Sequence, residues 1–215
     1  MGQRSQIIIS APRIDYGKGN PNNTPRQTYI LHSQWCYGVS FVRMMSDLQH
    51  ALEYCIEQEA DIKCASWTGR YGILNRAIRF ACNRYVQAQV NFEEPDNSNV
   101  DKFENVSTQG KLVEHLTKVT DNNNGWGIVR IANDGKVSIA IINGPEDDST
   151  IKVRSPLDYI NLEKPSATNE GLIKTYPYMR ESLETILLLT EEQGLETIRD
   201  FLFDVSDAGK LEENL

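Results

Sequence analysis

The sequence predicts an α+β fold: an antiparallel sheet with packed helices and a helical C-terminal segment. Three observations predict it. Two β-rich runs, residues 4–10 and 27–35, open the chain. From Gly38 onward the apolar residues recur at helical spacing instead. Later, residues 126–132 and 136–142 flank Asn133-Asp134-Gly135, and Asp-Gly supplies the positive φ that a tight hairpin turn demands. Strands, helices, an antiparallel hairpin and helices again argue against a doubly wound parallel sheet.

The elements follow in order. In residues 4–10, Ile7, Ile8 and Ile9 are β-branched, and Pro12 ends the run. Residues 15–25 are rich in Gly, Asn and Pro, which is loop chemistry. The second strand alternates, with Tyr29, Leu31, Ser33 and Trp35 on one face and Thr28, Ile30, His32 and Gln34 on the other. A long helix over 40–58 carries a core stripe of Phe41, Met44, Met45, Leu48, Leu52, Cys55 and Ile56. A second helix over 73–86 sets Ile73, Ala77, Ile78 and Ala81 on one face and Arg76, Arg79 and Arg84 largely on another. Residues 91–107 are polar and read as an exposed connection, and a modest helix spans 111–119. After the hairpin, residues 150–154 add a strand, and Ser155, Pro156 and Asp158 mark a helix start. Residues 163–170 have linker composition and 177–189 read as a helix. Thr190 with Gln193 has capping-box spacing for a last helix to about residue 204, with a frayed tail after Ser206.

The chain has 215 residues, 40 % hydrophobic and 24 % charged. That suffices for a core domain, expected over 1–163, with an acidic helical extension over 164–215. No apolar run approaches the ~20 residues of a transmembrane helix, and the first residues lack the regions of a signal peptide. The expectation is therefore a soluble, cytoplasmic protein without a membrane partner.

Net charge is −8, and residues 165–215 hold 4 Lys/Arg against 11 Asp/Glu. Nucleic acid is an unlikely partner for such a chain, because phosphate contacts need clustered Lys and Arg. Residues 62–92 are the exception, with five basic residues and no acid. Arg76, Arg79 and Arg84 could recognise phosphate or carboxylate. The alternative is pairing with the acidic segment. On that reading the C-terminal helices fold back near this stripe, on their own core or a partner subunit's. Leu183, Ile186, Leu187, Leu195, Ile198 and Leu202 then supply most of the contact energy.

Cys36, Cys55, Cys64 and Cys82 form no C-x-x-C pair, and His32, His50 and His115 complete no zinc spacing. Free thiols and no metal are expected. Gly-rich phosphate loops, H-E-x-x-H and G-x-S-x-G are absent, so no cofactor is implied.

His32, Gln34, Trp35, Cys36 and Tyr37, ending at Gly38, sit where a strand turns into a helix. Polar residues beside a helix N-terminus are placed to bind an anion or a carbonyl. His32 could serve as a base and Cys36 as a nucleophile; the plainer reading leaves Trp35 and Tyr37 in the core. Arg4 and Gln6 are polar within an apolar β-run, where an unpaired polar group costs roughly 1–3 kcal/mol. They are expected to pair with the second strand, so that the two motifs meet. The candidate binding set is thus Arg4, Gln6, His32, Gln34, Trp35, Cys36, Tyr37 and Arg76, with no catalytic residue assigned.

The opening Met1-Gly2-Gln3-Arg4-Ser5-Gln6-Ile7-Ile8 and the segment His32-Ser33-Gln34-Trp35-Cys36-Tyr37-Gly38 resemble a family of uncharacterised bacteriophage and prophage proteins. Those begin Met-Gly-Gln-Arg-x-Gln-Ile and carry His-x-Gln-Trp-x-Tyr-Gly. The hairpin and Leu157-Asp158-Tyr159 look similar to that family's later part. The resemblance implies a phage or prophage accessory protein that binds a host or phage protein or a small ligand. A looser likeness is to proteins laid out like the N-terminal nucleophile hydrolases, which implies a site near Arg4, His32 and Cys36. Here Gly2 bears no nucleophile, and Cys36 stands where those proteins have Asp.

Overall fold

The computed structural model describes residues 4–12, 26–34, 36–58, 76–77, 89–92, 125–142 and 153–212. Six strands form one sheet: β1 (Arg4–Pro12), β2 (Arg26–Gln34), β3 (Gln89–Phe92), β4 (Trp126–Ile131), β5 (Val137–Ile142) and β6 (Val153–Arg154). Their order is β3-β2-β1-β4-β5-β6. The described helices are α1 (Gly38–Gln58), α2 (Pro156–Glu163), α3 (Asn169–Thr175), α4 (Met179–Glu184) and α5 (Glu191–Glu212). The fold is α+β, as the sequence predicts. One pairing departs from the antiparallel expectation: β1 and β4 run parallel, with Gln6 opposite Trp126 and Ile8 opposite Ile128.

Strand alternation divides the core into two layers. Ile7, Ile9 and Leu31 face α1, while Ile8, Ile30 and Ile128 face α5. Both faces of β1 are therefore closed, and its uninterrupted Ile7-Ile8-Ile9 run is that of a strand buried on two sides. The predicted stripe of α1 lies on the sheet. Phe41 also meets Tyr159 of α2, ring centroids 5.8 Å apart. Tyr159, Leu172 and Met179 bury α1 from the other side. Arg43 of α1 fixes α4 by donating to the Tyr178 carbonyl at 2.5 Å, with its guanidinium 5.7 Å from the Tyr178 ring centroid.

The hairpin closes through a three-residue loop. Gly135 N–H donates to Ala132 O (2.9 Å), Ala132 N–H to Lys136 O (2.8 Å), and Gly135 holds φ 88°. This is a type I turn followed by one left-handed residue, which glycine adopts without strain. Ser155 caps α2 by accepting from Asp158 N–H at 3.1 Å, with Pro156 in the first turn. Thr190 and Gln193 form the reciprocal capping box: Gln193 N–H donates to Thr190 Oγ1 (3.2 Å) and Thr190 N–H to Gln193 Oε1 (3.1 Å).

Several boundaries differ from expectation. Gln89–Phe92 is a strand, so the polar connection begins later than residue 91. The 163–170 linker is shorter, because Thr168 caps α3 through Gly171 N–H (3.1 Å). The helix expected over 177–189 stops at Glu184. Beyond it the chain runs beside β5, where Ile139 N–H donates to Leu187 O (2.9 Å) and Leu189 N–H to Ile139 O (2.8 Å). Those bonds satisfy edge groups of β5 that the two-residue β6 does not reach, and this outweighs the helical preference of the Leu run. The last helix continues to Glu212, past the expected end. The helix expected over 111–119, most of that over 73–86 and the 15–25 loop lie outside the described residues.

The acidic segment folds back on the core, but it straddles the sheet. Leu183 and Ile186 pack on the α1 side, and Leu195, Ile198 and Leu202 on the opposite face. The expectation set the C-terminal helices near Arg76, whereas α5 packs in the core layer on the other sheet face from Ala77. Ala77, next to Arg76, is buried in the α1-side layer. The described ion pair of α5 joins Glu196 Oε2 to Arg130 Nη2 of β4, 3.1 Å apart. Arg79 and Arg84 lie outside the described residues.

Candidate binding site

β1 and β2 bring the two polar motifs together in register. Arg4 pairs with Gln34 and Gln6 with His32. The structure adds a third column, of which the sequence reading placed only Asn91, at the start of a connection: Gln89 pairs with Gln34 and Asn91 with His32. The result is a grid of six polar register positions, Arg4–Gln34–Gln89 in one row and Gln6–His32–Asn91 in the next. The row after that is Ile8–Ile30, which lies under α5. Trp126 closes the second row on the β4 side. The grid holds one arginine, one histidine, four amides and no carboxylate, within a chain of net charge −8.

Gln6 is 0 % and Trp126 6 % exposed, while His32 keeps partial exposure. Enclosed amide groups are retained in folds where they have hydrogen-bonding work, because burial without partners is costly. Asn91 was legible only as the start of a polar connection and Gln89 was not singled out; their place beside His32 and Gln34 depends on the register.

Cys36 belongs elsewhere. It is 1 % exposed in the α1-side layer, its Sγ 3.8 Å from Met44 Sδ, and its carbonyl accepts from Ser5 Oγ at 2.7 Å. His32 shares the alternation of Ile30 and so lies on the α5 side. Base and thiol are therefore on opposite faces of the sheet. Tyr37 is exposed at the α1 N-terminus, and Trp35 lies outside the described residues. Arg76 is exposed, and its side chain hydrogen-bonds Cys55, whose thiol burial nonetheless pushes up. The expected set thus divides: Arg4, Gln6, His32 and Gln34 meet, while Cys36, Tyr37 and Arg76 do not join them.

The N-terminus of α1 is occupied by the protein's own groups. Gly38 N–H faces the Tyr159 hydroxyl, which burial first and Glu163 second push above the usual phenol range. Glu163 lies so close that a Cβ on Gly38 would stand 2.5 Å from its Oε2, and Gly38 has φ 55°. Burial raises the Glu163 carboxyl above its ordinary value. An incoming anion would meet a carboxylate here.

At the far end of the α5 face, Arg26 donates from Nε to Ser10 Oγ (2.7 Å) and from Nη2 to the carbonyls of Ser10 (2.9 Å) and Ile131 (2.8 Å). Burial, with Arg130 nearby, lowers its pKa to about 10, so it stays charged at neutral pH. This arginine ties β2 across β1 to β4. Among the described residues no group of His, Cys, Asp and Glu could hold a metal, and no helix is long and apolar enough to cross a membrane. No family model, curated protein or solved structure matches the chain.

Proposed function

We propose that this chain is a binding module, an accessory protein of phage or prophage origin as its motifs imply, and not a hydrolase. One observation carries the choice: Cys36, the strand-end thiol of the candidate set, is sealed in the α1-side layer against Met44, on the opposite sheet face from His32. A nucleophile needs a base within hydrogen-bond reach and an approach for substrate, whereas Cys36 is 1 % exposed with its Sγ against Met44 Sδ and lies across the sheet from His32. The Arg4/Gln6/His32/Gln34 grid with Gln89 and Asn91 supplies hydrogen-bonding groups without a nucleophile.

The test is turnover. The intact protein is incubated with chromogenic esters, anilides and phosphate esters, beside Cys36→Ser and His32→Ala. The expected outcome is no hydrolysis above background in any of the three. Hydrolysis by the wild type that Cys36→Ser abolishes would overturn the reading.

A further inference from the structure

We infer that His50 is a proton-operated latch. Charged, it holds the end of α4, and with it the strap of residues 185–190, on the core. Neutral, it lets that strap loosen from the edge of β5. The device is independent of how the polar grid is used.

The surroundings of the ring call for two N–H groups. Nδ1 of His50 faces Glu181 Oε1 of α4 at 3.7 Å, and Nε2 is 3.4 Å from Thr185 Oγ1. The Thr185 hydroxyl has one proton, which it donates to the Glu181 carbonyl at 2.7 Å. Toward His50 it can therefore only accept, and a carboxylate likewise only accepts. Both ring nitrogens thus meet acceptors. Imidazolium carries an N–H on each; a neutral ring has one and turns a lone pair on the other acceptor. Histidine is the side chain that makes this change between pH 5 and 8.

α4 is held on α1 by two anchors of different kinds. At its start Arg43 donates to the Tyr178 carbonyl and, at 3.4 Å, to Ser182 Oγ, and Asp47 fixes the guanidinium at 3.0 Å. An arginine keeps its charge wherever the fold is stable, so that anchor is permanent. At its end stands His50, which titrates. Met179 at the permanent end is buried, while Leu183 and Ile186 toward the other end are only partly so. Directly after Thr185 the strap meets β5 through the bonds of Ile139 N–H to Leu187 O and of Leu189 N–H to Ile139 O. β6 pairs with β5 at Ile141 and Ile142, so at Ile139 the strap closes the edge. Release of His50 acts on those two bonds first, because the sheet and the Arg43 anchor do not depend on it.

Among the described residues, the charged groups about the ring come from two helices. On α1 Glu53 lies one turn beyond His50; burial raises its carboxyl, the charge of His50 lowers it, and Glu57 follows. From α4 come Glu181 and, a turn further on, Glu184, which pairs with Arg180 at 3.0 Å. The strap and β5 contain no charged residue. Arg43 is engaged by Asp47 and Arg180 by Glu184, which leaves His50 to face Glu181. The contribution of the latch is present while the ring is charged and is lost as pH rises through its titration.

His50 is 32 % and Glu181 58 % exposed, so the effect is local and modest. The experiment is amide hydrogen exchange on the full chain at pH 5.5 and 7.5, corrected for the intrinsic rate at each pH. Leu189 and Ile139 report the strap, and Ala132, which bonds inside the hairpin, is the reference. In the wild type, protection of Leu189 and Ile139 relative to Ala132 should be about two- to fivefold higher at pH 5.5. His50→Gln and Glu181→Gln should flatten that difference. His50→Lys, a cation at both values, should keep the higher protection at both. Glu53 is intact in all three variants, so a difference that survives in His50→Gln belongs to another group and overturns the latch. Equal protection at the two pH values in the wild type overturns it as well. If His50→Gln does not fold, Glu181→Gln decides, since its side chain is largely in solvent.

Discussion

Met45 of α1 lies directly on Gly127 of β4. A Cβ at Gly127 would collide with Met45 Sδ and stand 2.8 Å from Met45 Cε and 3.2 Å from Phe41 Cζ. Close packing of α1 on the sheet therefore depends on the missing side chain. Gly127→Ala should cost about 1–3 kcal/mol, the range for overpacking a filled core. Denaturant unfolding measures it. Met45→Ala combined with Gly127→Ala should cost less than the two changes added, because the pair shares one space.

Arg26 and Glu196 lie on the same sheet face, but they differ in what their loss exposes. Arg26→Ala leaves the Ser10 hydroxyl and the Ser10 and Ile131 carbonyls without the guanidinium that donates one hydrogen bond to each, and should cost about 2–3 kcal/mol. Glu196 is 54 % exposed in its pair with Arg130, so Glu196→Gln should cost no more than about 1 kcal/mol. Unfolding midpoints of the two variants, at low and high salt, separate these; only the Glu196 effect should fade with salt.

Burial raises the carboxyls of Glu53 and Glu163 above the ordinary 4.5. A raised carboxyl holds its proton in the folded state at a pH where the unfolded chain has lost it. Folding is then favoured by acid, and this contribution is fully present below 4.5 and lost as pH rises through the folded value. Both groups are only partly buried, so the effect is small. The expected result is a shallow gain in stability on acidifying from neutral toward 4.5, reduced in Glu53→Gln and Glu163→Gln. Thermal melts across that window test it. A slope unchanged in both variants would contradict the assignment to these groups.

The Thr190–Gln193 box starts the helix that closes one whole face of the sheet. Thr190→Ala should cost about 1 kcal/mol, while Thr190→Ser should be nearly silent. Hydrogen exchange should show the difference first at the Glu191, Glu192 and Gln193 amides.

Much of this architecture is written locally. Ile7-Ile8-Ile9, the Phe41-to-Ile56 stripe, Asn133-Asp134-Gly135, Ser155-Pro156 and Thr190/Gln193 each specify an element through neighbouring residues, because periodicity, turn φ and caps are short-range effects. The pairing of Arg4 and Gln6 with the second strand was also readable, from the cost of leaving polar groups alone in a β-run.

Long-range pairing decided the rest. The Leu-rich run after Glu184 gave up helix because Ile139 offered it backbone partners, and a four-residue strand at Gln89–Phe92 formed because β2 had an edge to pair. The charge of the C-terminal segment was plain in the sequence, but the pairing of its Glu196 with Arg130 was not, since charge sets no direction until the helix has chosen a sheet face. The site divided for the same reason. His32 and Cys36 are four residues apart, yet one belongs to the α5 face and the other to the α1 layer, whereas Asn91, fifty-nine residues from His32, is its direct neighbour. Sequence fixes which residues a strand contains and how they alternate; only the pairing of strands, settled by burying both faces at once, decides which of them stand side by side.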